Sequence, residues 1–298
     1  MDRRAWMLMW TLALLWGASY LFIKLGLETL EPAFIVFSRL ALAGLVLIPF
    51  AARAGAFAGL RERWRAVLVL AAVQVVVPFL LITYGEEHVA SGLTGVLIAS
   101  APIFTALLAF AGFGPRVQGW SLGGVVVGIA GVLVLFASDL TGSSDLVLGG
   151  AMILVASLGY SVGAVYLRAR FQGVAPLGVA AASMSTAAVL TAPMAALQAP
   201  AALPSLTSGL AVVALGVLGT GIAFGIFYVL IADIGAARAS VVAYLAPAFS
   251  LAYGALFVDE PITLSAIAGL VLILSGSYLA ATGRAPWQRR PVAVPATA

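Results

Sequence analysis

The sequence predicts an all-α polytopic membrane protein with ten transmembrane helices, arranged as two inverted five-helix repeats. Three observations predict this fold: a composition that is 63% hydrophobic and 9% charged, a series of ten apolar runs, and two halves that resemble each other. A soluble domain averages about 45–50% apolar and about 25% charged residues. A soluble fold could not bury so many apolar side chains, so much of this surface must face lipid.

Each apolar run has close to the ~20 residues that cross a bilayer as a helix, because backbone groups in lipid must hydrogen-bond within their own segment. The first run, from Ala5 to Leu27, is longer than the ~7–15 apolar residues of a signal peptide, so it is predicted to be a transmembrane helix. Turn residues such as Glu31-Pro32 separate the runs. The predicted spans are 5–27, 32–52, 66–84, 91–112, 119–137, 146–167, 176–197, 208–231, 238–257 and 262–282.

The charges between the spans provide an independent test of their number. If ten helices alternate from a cytoplasmic N-terminus, the inner segments hold 13 of the 15 basic residues and three acids. The outer segments hold eight acids and one base, Lys24, and the remaining base, Arg39, lies inside the second span. The positive-inside rule therefore predicts a multi-pass protein of the cell inner membrane with cytoplasmic N- and C-termini. The same distribution explains the net charge of +4 without a nucleic-acid partner.

The two halves of the chain share a pattern at nearly constant spacing. At an offset of 144 residues Pro32 corresponds to Pro176, and at an offset of 145 residues 101–104 (APIF) correspond to residues 246–249 (APAF). One inserted residue reconciles the two offsets. The order and spacing of such matches indicate an internal repeat.

An odd number of helices in each repeat makes the two repeats enter the membrane from opposite sides. The sequence therefore predicts a first five-helix repeat over residues 5–137, a second, inverted repeat over residues 146–282, and a cytoplasmic tail over residues 283–298. Inverted repeats related by a pseudo-two-fold axis in the membrane plane are used by many secondary transporters, whose solute sites lie near the midplane between the repeats. This arrangement favours alternating access through a central cavity.

Short motifs in a fixed order carry a family resemblance. They are Leu15-Trp16-Gly17-Ala18-Ser19, Ser38-Arg39-Leu40, Ala101-Pro102, Ala246-Pro247 and Asp259-Glu260-Pro261. Over about residues 8–283 they make the sequence similar to the ten-helix members of the drug/metabolite transporter superfamily, which have two tandem EamA-type domains. The resemblance implies export of metabolites, often amino acids and in some members aromatic ones. It also implies a cavity formed mainly by helices 1, 3, 4, 6, 8 and 9.

Arg39 is a charged residue well inside an apolar span. An ionisable group at that depth costs roughly 2.5–3.5 kcal/mol on insertion scales, which makes it a candidate for function. Its guanidinium can attract the carboxylate of a solute. Alternatively, it bonds backbone carbonyls or extends toward the interface as a structural tie, and the sequence slightly favours this second interpretation.

Trp16, Tyr20 and Lys24 are spaced by four residues and therefore share one face of the first helix. Tyr160 occupies the position of Trp16 in the second repeat, at an offset of 144. These aromatic residues can line a cavity, or they can pack against other helices. For Lys24 an anchoring role at the interface is favoured.

Gln74 and Pro78 lie one turn apart in the third span, and proline leaves the carbonyl of Gln74 without its helical partner. A glutamine and a free carbonyl in lipid predict an irregular stretch that faces a cavity. Ser100 and Tyr244 lie near the prolines of the fourth and ninth spans, where they can contact a solute. Their alternative is hydrogen bonding between helices, worth about 0.6 kcal/mol on average.

Glu86, Glu87 and His88 follow the third span and are predicted to form a solvated loop, with proton sensing as the alternative interpretation. The acidic residues all lie outside the deep part of the spans. This argues against a buried carboxylate that exchanges protons with a cationic drug. Facilitated diffusion, or coupling by another route, stays open.

The composition also excludes several classes of function. There is no cysteine and only one histidine, so disulfides, iron–sulfur clusters and thiol nucleophiles are excluded, and no cofactor or metal is expected. The chain is predicted to be a transporter and not an enzyme, with a small-molecule solute and the lipid bilayer as partners. Gly124 and Gly128 form a small-xxx-small pattern that serves packing within the chain or in a homodimer. The alternatives are an uptake or drug-efflux carrier of the same fold, or a membrane protein without transport.

Overall fold

The computed structural model describes residues 2–113, 119–137 and 144–283, and within these ranges it contains ten long helices. The predicted spans are confirmed, with ends that differ by a few residues. Beyond Gly283 the predicted tail lies outside the described residues. The helices, numbered 1 to 10 in chain order, are Arg3–Gly26, Pro32–Arg53, Trp64–Gly85, Ser91–Phe110, Ser121–Ala137, Ser144–Arg170, Pro176–Leu197, Leu206–Ile234, Val242–Phe257 and Leu264–Thr282.

Eight of the described helices are long and apolar enough to cross a membrane, and helices 5 and 9 are shorter apolar helices. Large apolar side chains on the outside of the bundle are exposed, among them Leu133 at 65% and Leu264 at 82%. Such a surface is stable against lipid and not against water. Pro32 and Pro176 begin helices 2 and 7, where a proline costs no backbone hydrogen bond.

Helices 3 and 8 each contain one π-helical turn, over Ala71–Val76 and Val217–Ile222. The two turns lie at equivalent positions, 146 residues apart, so the structure repeats an irregularity that sequence matching alone did not detect. A π turn widens a helix locally and often occurs at a functional site. Helix 4 is also irregular, because it divides into Ser91–Ile98 and Ala101–Phe110 just before Pro102.

Equivalent helices of the two repeats pack against each other, helix 2 on helix 7 and helix 5 on helix 10. The other main pairs also obey the symmetry, since helix 1 packs on helix 9 as helix 6 packs on helix 4. Close approach depends on small residues: Gly44 of helix 2 lies against Ser185 of helix 7, and Gly17 of helix 1 lies against Phe249 of helix 9. This pairing confirms the predicted fold of two inverted five-helix repeats.

The glycines of helix 5 pack against another helix of the same chain. Gly124 faces the backbone of helix 10 at Ala280, and Gly128 contacts Gly276, also of helix 10. Their small-xxx-small pattern is thus explained by packing between the repeats. The homodimer stays a prediction, without support from these residues.

The two ends of the bundle carry different charges, and we name them accordingly. The basic end carries the chain segments that hold Arg3, Arg4, Arg53, Arg168, Arg170 and Arg238. The acidic end carries the segments that hold Glu28, Glu31, Glu86, Glu87, Asp259 and Glu260.

Candidate functional site

A cavity of about 1350 Å³ lies between the two repeats. Its walls come from helices 1, 3, 4, 6, 8 and 9, as the family resemblance implies, and also from helices 2, 5, 7 and 10. The lining reaches the basic end at Ser240 and Gly283, whereas toward the acidic end it stops at Tyr20 and Ile82. The cavity is therefore open toward the basic end and closed toward the acidic end.

The structure brings six of the eight candidate residues together on the cavity wall. The arginine lies in helix 2, and the others extend over helices 1, 3, 6 and 9. These six residues are Trp16, Tyr20, Arg39, Gln74, Tyr160 and Tyr244.

Pro78 and Ser100 lie outside the cavity lining and have structural surroundings. Pro78 is buried against Gly159 of helix 6, directly after the π turn of helix 3. The Ser100 hydroxyl donates to the Leu97 carbonyl at 2.6 Å and lies 3.1 Å from the hydroxyl of Ser157. These contacts provide hydrogen bonds at the break in helix 4 and join it to helix 6, so the Ser100 hydroxyl has little capacity left to bind a solute.

Arg39 is 8% exposed, and one of its nitrogens joins the two repeats. Its Nε atom donates a hydrogen bond of 2.7 Å to Oγ1 of Thr220, which lies in the π turn of helix 8. The described residues hold one ion pair, between Arg4 and Asp233 at the surface, so Arg39 has no carboxylate partner among them. The cavity thus contains a positive charge that no acidic side chain of the described chain compensates.

Phe79 lies beneath this charge, and sequence reasoning missed it. The guanidinium carbon of Arg39 lies 3.9 Å from the centroid of the Phe79 ring. Tyr160 packs against the same ring edge-on, with 6.4 Å between the centroids. A cation over an aromatic face is stabilised by the ring quadrupole, so Phe79 orients Arg39 while its own orientation is set by Tyr160.

A second group of aromatic residues lines the cavity where helix 1 meets helix 8. The Trp16 ring lies 5.2 Å from that of Phe227 and 6.0 Å from that of Phe224. Tyr228 contacts both phenylalanines and also lines the cavity. Sequence analysis noted Trp16 but missed the two phenylalanines, because an aromatic residue in an apolar span gives no signal of the side it faces.

Gln74 occupies the π turn of helix 3, and Thr220 occupies the equivalent position, 146 residues on, in the turn of helix 8. The Gln74 side chain packs on Gly163 of helix 6 and faces the cavity. The irregular, cavity-facing stretch predicted around Gln74 is confirmed. The offsets of 144 and 145 read from the sequence map Gln74 onto Leu218 or Gly219, so only the matching π turns of the structure identify Thr220 as its equivalent.

The acidic end is closed by a carboxylate that caps a helix of the other repeat. Glu260 accepts hydrogen bonds from the backbone N–H groups of Ser91 and Gly92 at 2.7 and 2.8 Å, and from the Ser91 hydroxyl at 3.1 Å. A carboxylate at a helix N-terminus satisfies free N–H groups and interacts favourably with the helix dipole. Glu260 therefore ties the segment before helix 10 to the start of helix 4.

Other polar contacts bridge the repeats at the same end. The Gln198 side chain accepts from the Ala33 N–H at 2.8 Å and donates to the Tyr84 hydroxyl at 2.9 Å. The Ser208 hydroxyl donates to the Leu25 carbonyl at 2.7 Å. Together with Glu260 these bonds hold the acidic end shut.

Glu86 is a correction to the sequence analysis, which places it in a solvated loop. Glu87 and His88 are exposed as expected, but the Glu86 side chain is 0% exposed. Helix 3 ends at Gly85, and the chain turns inward there because Gly85 packs closely on Ile153 of helix 6. The prediction was wrong because position in a loop does not determine which side chain the turn buries.

Both halves of the chain match one family of known proteins. The sequence profile of the EamA-like transporter family matches residues 3–137 and matches again over residues 147–282. A solved crystal structure has the same fold, with a TM-score of 0.68 and 24% sequence identity, over 95% of this chain and 98% of that chain.

Several bacterial proteins are similar along nearly the whole length. The uncharacterized inner membrane transporter YedA of Escherichia coli strain K12 is 29% identical over 96% of this chain and 94% of its own. The uncharacterized transporter YoaV of Bacillus subtilis is 25% identical over 90% and 94%. A probable amino-acid metabolite efflux pump of Escherichia coli strain K12 is 25% identical over 94% and 95%. The similarity is that of membrane transporters.

Proposed function

We propose that this chain, which belongs to the EamA-like transporter family through both of its halves, exports small metabolites that carry a carboxylate, with amino acids as the leading class. The chain is a membrane transporter by family; its solute, the direction of transport and the mechanism are proposed here. The similarity to an amino-acid metabolite efflux pump supports the cargo class. Transport is proposed to proceed by alternating access between the repeats 5–137 and 146–282.

One observation carries the proposal: Arg39 lies in the cavity without a carboxylate partner among the described residues. An arginine donates in a planar fork that suits a carboxylate, and its Nε is the nitrogen bonded to Thr220. The terminal nitrogens can therefore bind a solute carboxylate while Nε keeps the side chain in place. This arrangement favours a binding role for Arg39, beyond the structural tie that the sequence favours.

The aromatic residues of the cavity suit the part of the solute that lies beyond its carboxylate. Trp16, Phe224 and Phe227 present ring faces and edges to the cavity, on helices 1 and 8. Binding sites of this kind combine an apolar wall with a few polar groups that set the orientation. We propose that the carboxylate of the solute binds Arg39, and that Tyr20, Gln74, Tyr160 and Tyr244 contact its other polar groups.

The loop charges support the direction. By the positive-inside rule the basic end lies in the cytoplasm, with both termini and the tail 283–298, and the membrane is the inner membrane. The cavity, open toward the basic end, then faces the compartment from which an exporter loads its solute. Rocking of one repeat against the other would close that end and open the acidic end.

Counterflow with purified protein in proteoliposomes tests the proposal. A panel of labelled amino acids, matching amines that lack the carboxylate, and apolar drugs is offered to wild-type protein, Arg39→Gln and Arg53→Gln. Arg53 is the control because it is an exposed arginine at the end of the same helix. We expect amino-acid counterflow to fall roughly 10–100-fold in Arg39→Gln, as for the loss of charged hydrogen bonds worth about 1.5–3 kcal/mol, and to persist in Arg53→Gln.

The panel also separates the alternatives. Counterflow of amines or drugs with no amino-acid flux would favour a drug-efflux carrier, and would refute the carboxylate proposal. Equal amino-acid flux in wild-type protein and Arg39→Gln would restore the structural interpretation of Arg39. Absence of flux for every solute in correctly folded protein would count against transport of this panel altogether.

A further inference from the structure

Glu86 has a buried carboxyl group that the proposed solute site does not use. Its side chain is 0% exposed, and neither Oε1 nor Oε2 has a hydrogen-bond partner among the described residues. The residue directly follows helix 3, at the closed acidic end of the cavity, just past Ile82 of the lining. A buried carboxylate with no partner is strongly unfavourable, whereas a protonated carboxyl in the same place costs far less.

The nearby lysine does not relieve this situation. Lys24 of helix 1 donates to the backbone carbonyl of Glu86, at 3.3 Å, and not to its carboxylate. The interaction therefore fixes the position of the turn without forming an ion pair. The described residues contain no salt bridge of Glu86 within 4.0 Å.

Charged and titratable groups surround Glu86 from several elements. Helix 1 contributes Lys24 and Tyr20, helix 2 contributes Arg39, and the segment before helix 10 contributes Glu260. Helix 6 meets the end of helix 3 through residues without charge, as the contacts of Gly85 show. On its own segment, Glu87 and His88 point outward into solvent. Two cations and one anion therefore act on Glu86 from other elements.

We propose that Glu86 is a proton-binding site whose occupancy is linked to closure of the acidic end. The inference rests on the proposed function, because it assumes that the acidic end opens and closes during transport. With the end closed, the carboxyl is dry and holds its proton. When the end opens, water reaches the carboxyl, which ionises and releases the proton to the compartment on that side.

The electrostatic surroundings agree with this proposal. Burial raises the pKa of the Glu86 carboxyl well above its ordinary value, Lys24 and Arg39 oppose that shift, and Glu260 adds to it. A proton that binds one conformation better than the other must shift the equilibrium between them. A low pH in the compartment that the acidic end faces thus favours the conformation that is closed at the acidic end and open at the basic end.

Infrared spectroscopy of the reconstituted protein tests the protonation directly. The stretch of a protonated carboxyl should be present at neutral pH in wild-type protein and in Glu87→Gln, and absent or reduced by one group in Glu86→Gln. Glu87 is the matched control because it is the neighbouring glutamate and is exposed. Identical bands in wild-type protein and Glu86→Gln would show that Glu86 is ionised, and would overturn the proposal.

Thiol labelling tests the link to closure, and the absence of cysteine from the sequence makes single-cysteine variants straightforward. Ser250 is 2% exposed between helices 9 and 4 at the acidic end, so Ser250→Cys reports opening there. We expect the labelling rate of Ser250→Cys to increase with rising pH. The rate for Ala202→Cys, at an exposed position, provides the correction for ionisation of the thiol itself. The acceleration should persist with Glu87→Gln and disappear with Glu86→Gln.

The outcomes separate this proposal from the proposed function. Loss of the pH response in Glu86→Gln supports the site even if the counterflow panel fails, because neither measurement needs a solute. An equal pH response in the Glu86 and Glu87 variants refutes the link even if amino acids are transported. Glu86→Gln replaces a neutral carboxyl with a neutral amide, so it should fold; an unfolded variant at neutral pH would itself count against a protonated Glu86.

Discussion

The Nε atom of Arg39 donates a hydrogen bond to Oγ1 of Thr220, at 2.7 Å, and so joins helix 2 of the first repeat to the π turn of helix 8 in the second. The Thr220 hydroxyl in turn donates to the Leu215 carbonyl at 2.9 Å, within the same helix. The wide turn thus presents a hydroxyl whose oxygen is free to accept from Arg39. The π turn of helix 8 in the second repeat thereby orients the guanidinium of Arg39 in the first.

Thr220→Val should loosen Arg39 and destabilise the protein. The change removes an acceptor from a buried charged donor, which costs about 1.5–3 kcal/mol. Thermal unfolding in detergent measures the effect. Thr105→Val is the control, since Thr105 also lines the cavity but, within the described ranges, its hydroxyl donates to the Ala101 carbonyl of its own helix. Equal shifts in the two variants would show that the link to Arg39 contributes no stability.

Gly276→Ala should separate helices 5 and 10. A Cβ atom at this position meets the backbone of Gly128, and backbone cannot move aside as a flexible side chain can. Overpacking of this kind typically costs about 1–3 kcal/mol, and unfolding temperature measures it. The control is Gly225→Ala in helix 8, where a Cβ has open space. If Gly225→Ala proved as harmful as Gly276→Ala, steric contact would not be the cause.

Glu260→Gln should weaken closure of the acidic end. The amide keeps one acceptor oxygen but turns its NH₂ group toward N–H donors, so at least one of the bonds to Ser91 and Gly92 is lost. A charged hydrogen bond is worth about 1.5–3 kcal/mol, so opening should rise roughly 10–100-fold. The labelling rate of Ser250→Cys measures it. Asp259→Asn, at the exposed neighbouring acid, is the control and should leave the rate unchanged.

Glu260→Gln should affect the acidic end and not the basic end, because the first repeat has no carboxylate at the position equivalent to Glu260. At the repeat offset of 145, the position of Glu260 corresponds to Pro115, and that of Ser91 to Ala236. The repeat therefore does not place a second copy of the Glu260 cap at the basic end. This asymmetry gives a physical reason for a conformation that is closed at the acidic end.

The stability of the closed conformation should depend on pH through Glu86. Burial raises its pKa in the folded, closed state, so the folded state binds more protons than the unfolded chain between the two pKa values. The stabilisation is complete below the ordinary pKa of a glutamate and is lost as the pH rises through the raised pKa. Unfolding temperature as a function of pH measures this. The alkaline loss should be smaller in Glu86→Gln than in Glu87→Gln; identical profiles would contradict it.

The candidate site was predictable to different degrees. Charge inside a span marked Arg39, and a glutamine one turn before a proline marked Gln74, because polar groups in lipid need partners. Thr220 and Phe79 gave no such signal, since threonine and phenylalanine are ordinary in a membrane helix. Their importance comes from contacts with Arg39, which lies 181 residues away along the chain from Thr220.

The sequence by itself determined the membrane environment, the ten spans and the inverted repeat. Lipid requires each backbone segment to satisfy its own hydrogen bonds, so hydropathy and loop charge are read locally and suffice for topology. Tertiary structure alone decided which polar side chains share the cavity and which carboxyl is dry. Glu86 is buried through contacts with residues as distant as Lys24, and Glu260 caps a helix more than half the chain away. Burial and partnership are properties of packing between distant segments, which local patterns do not encode.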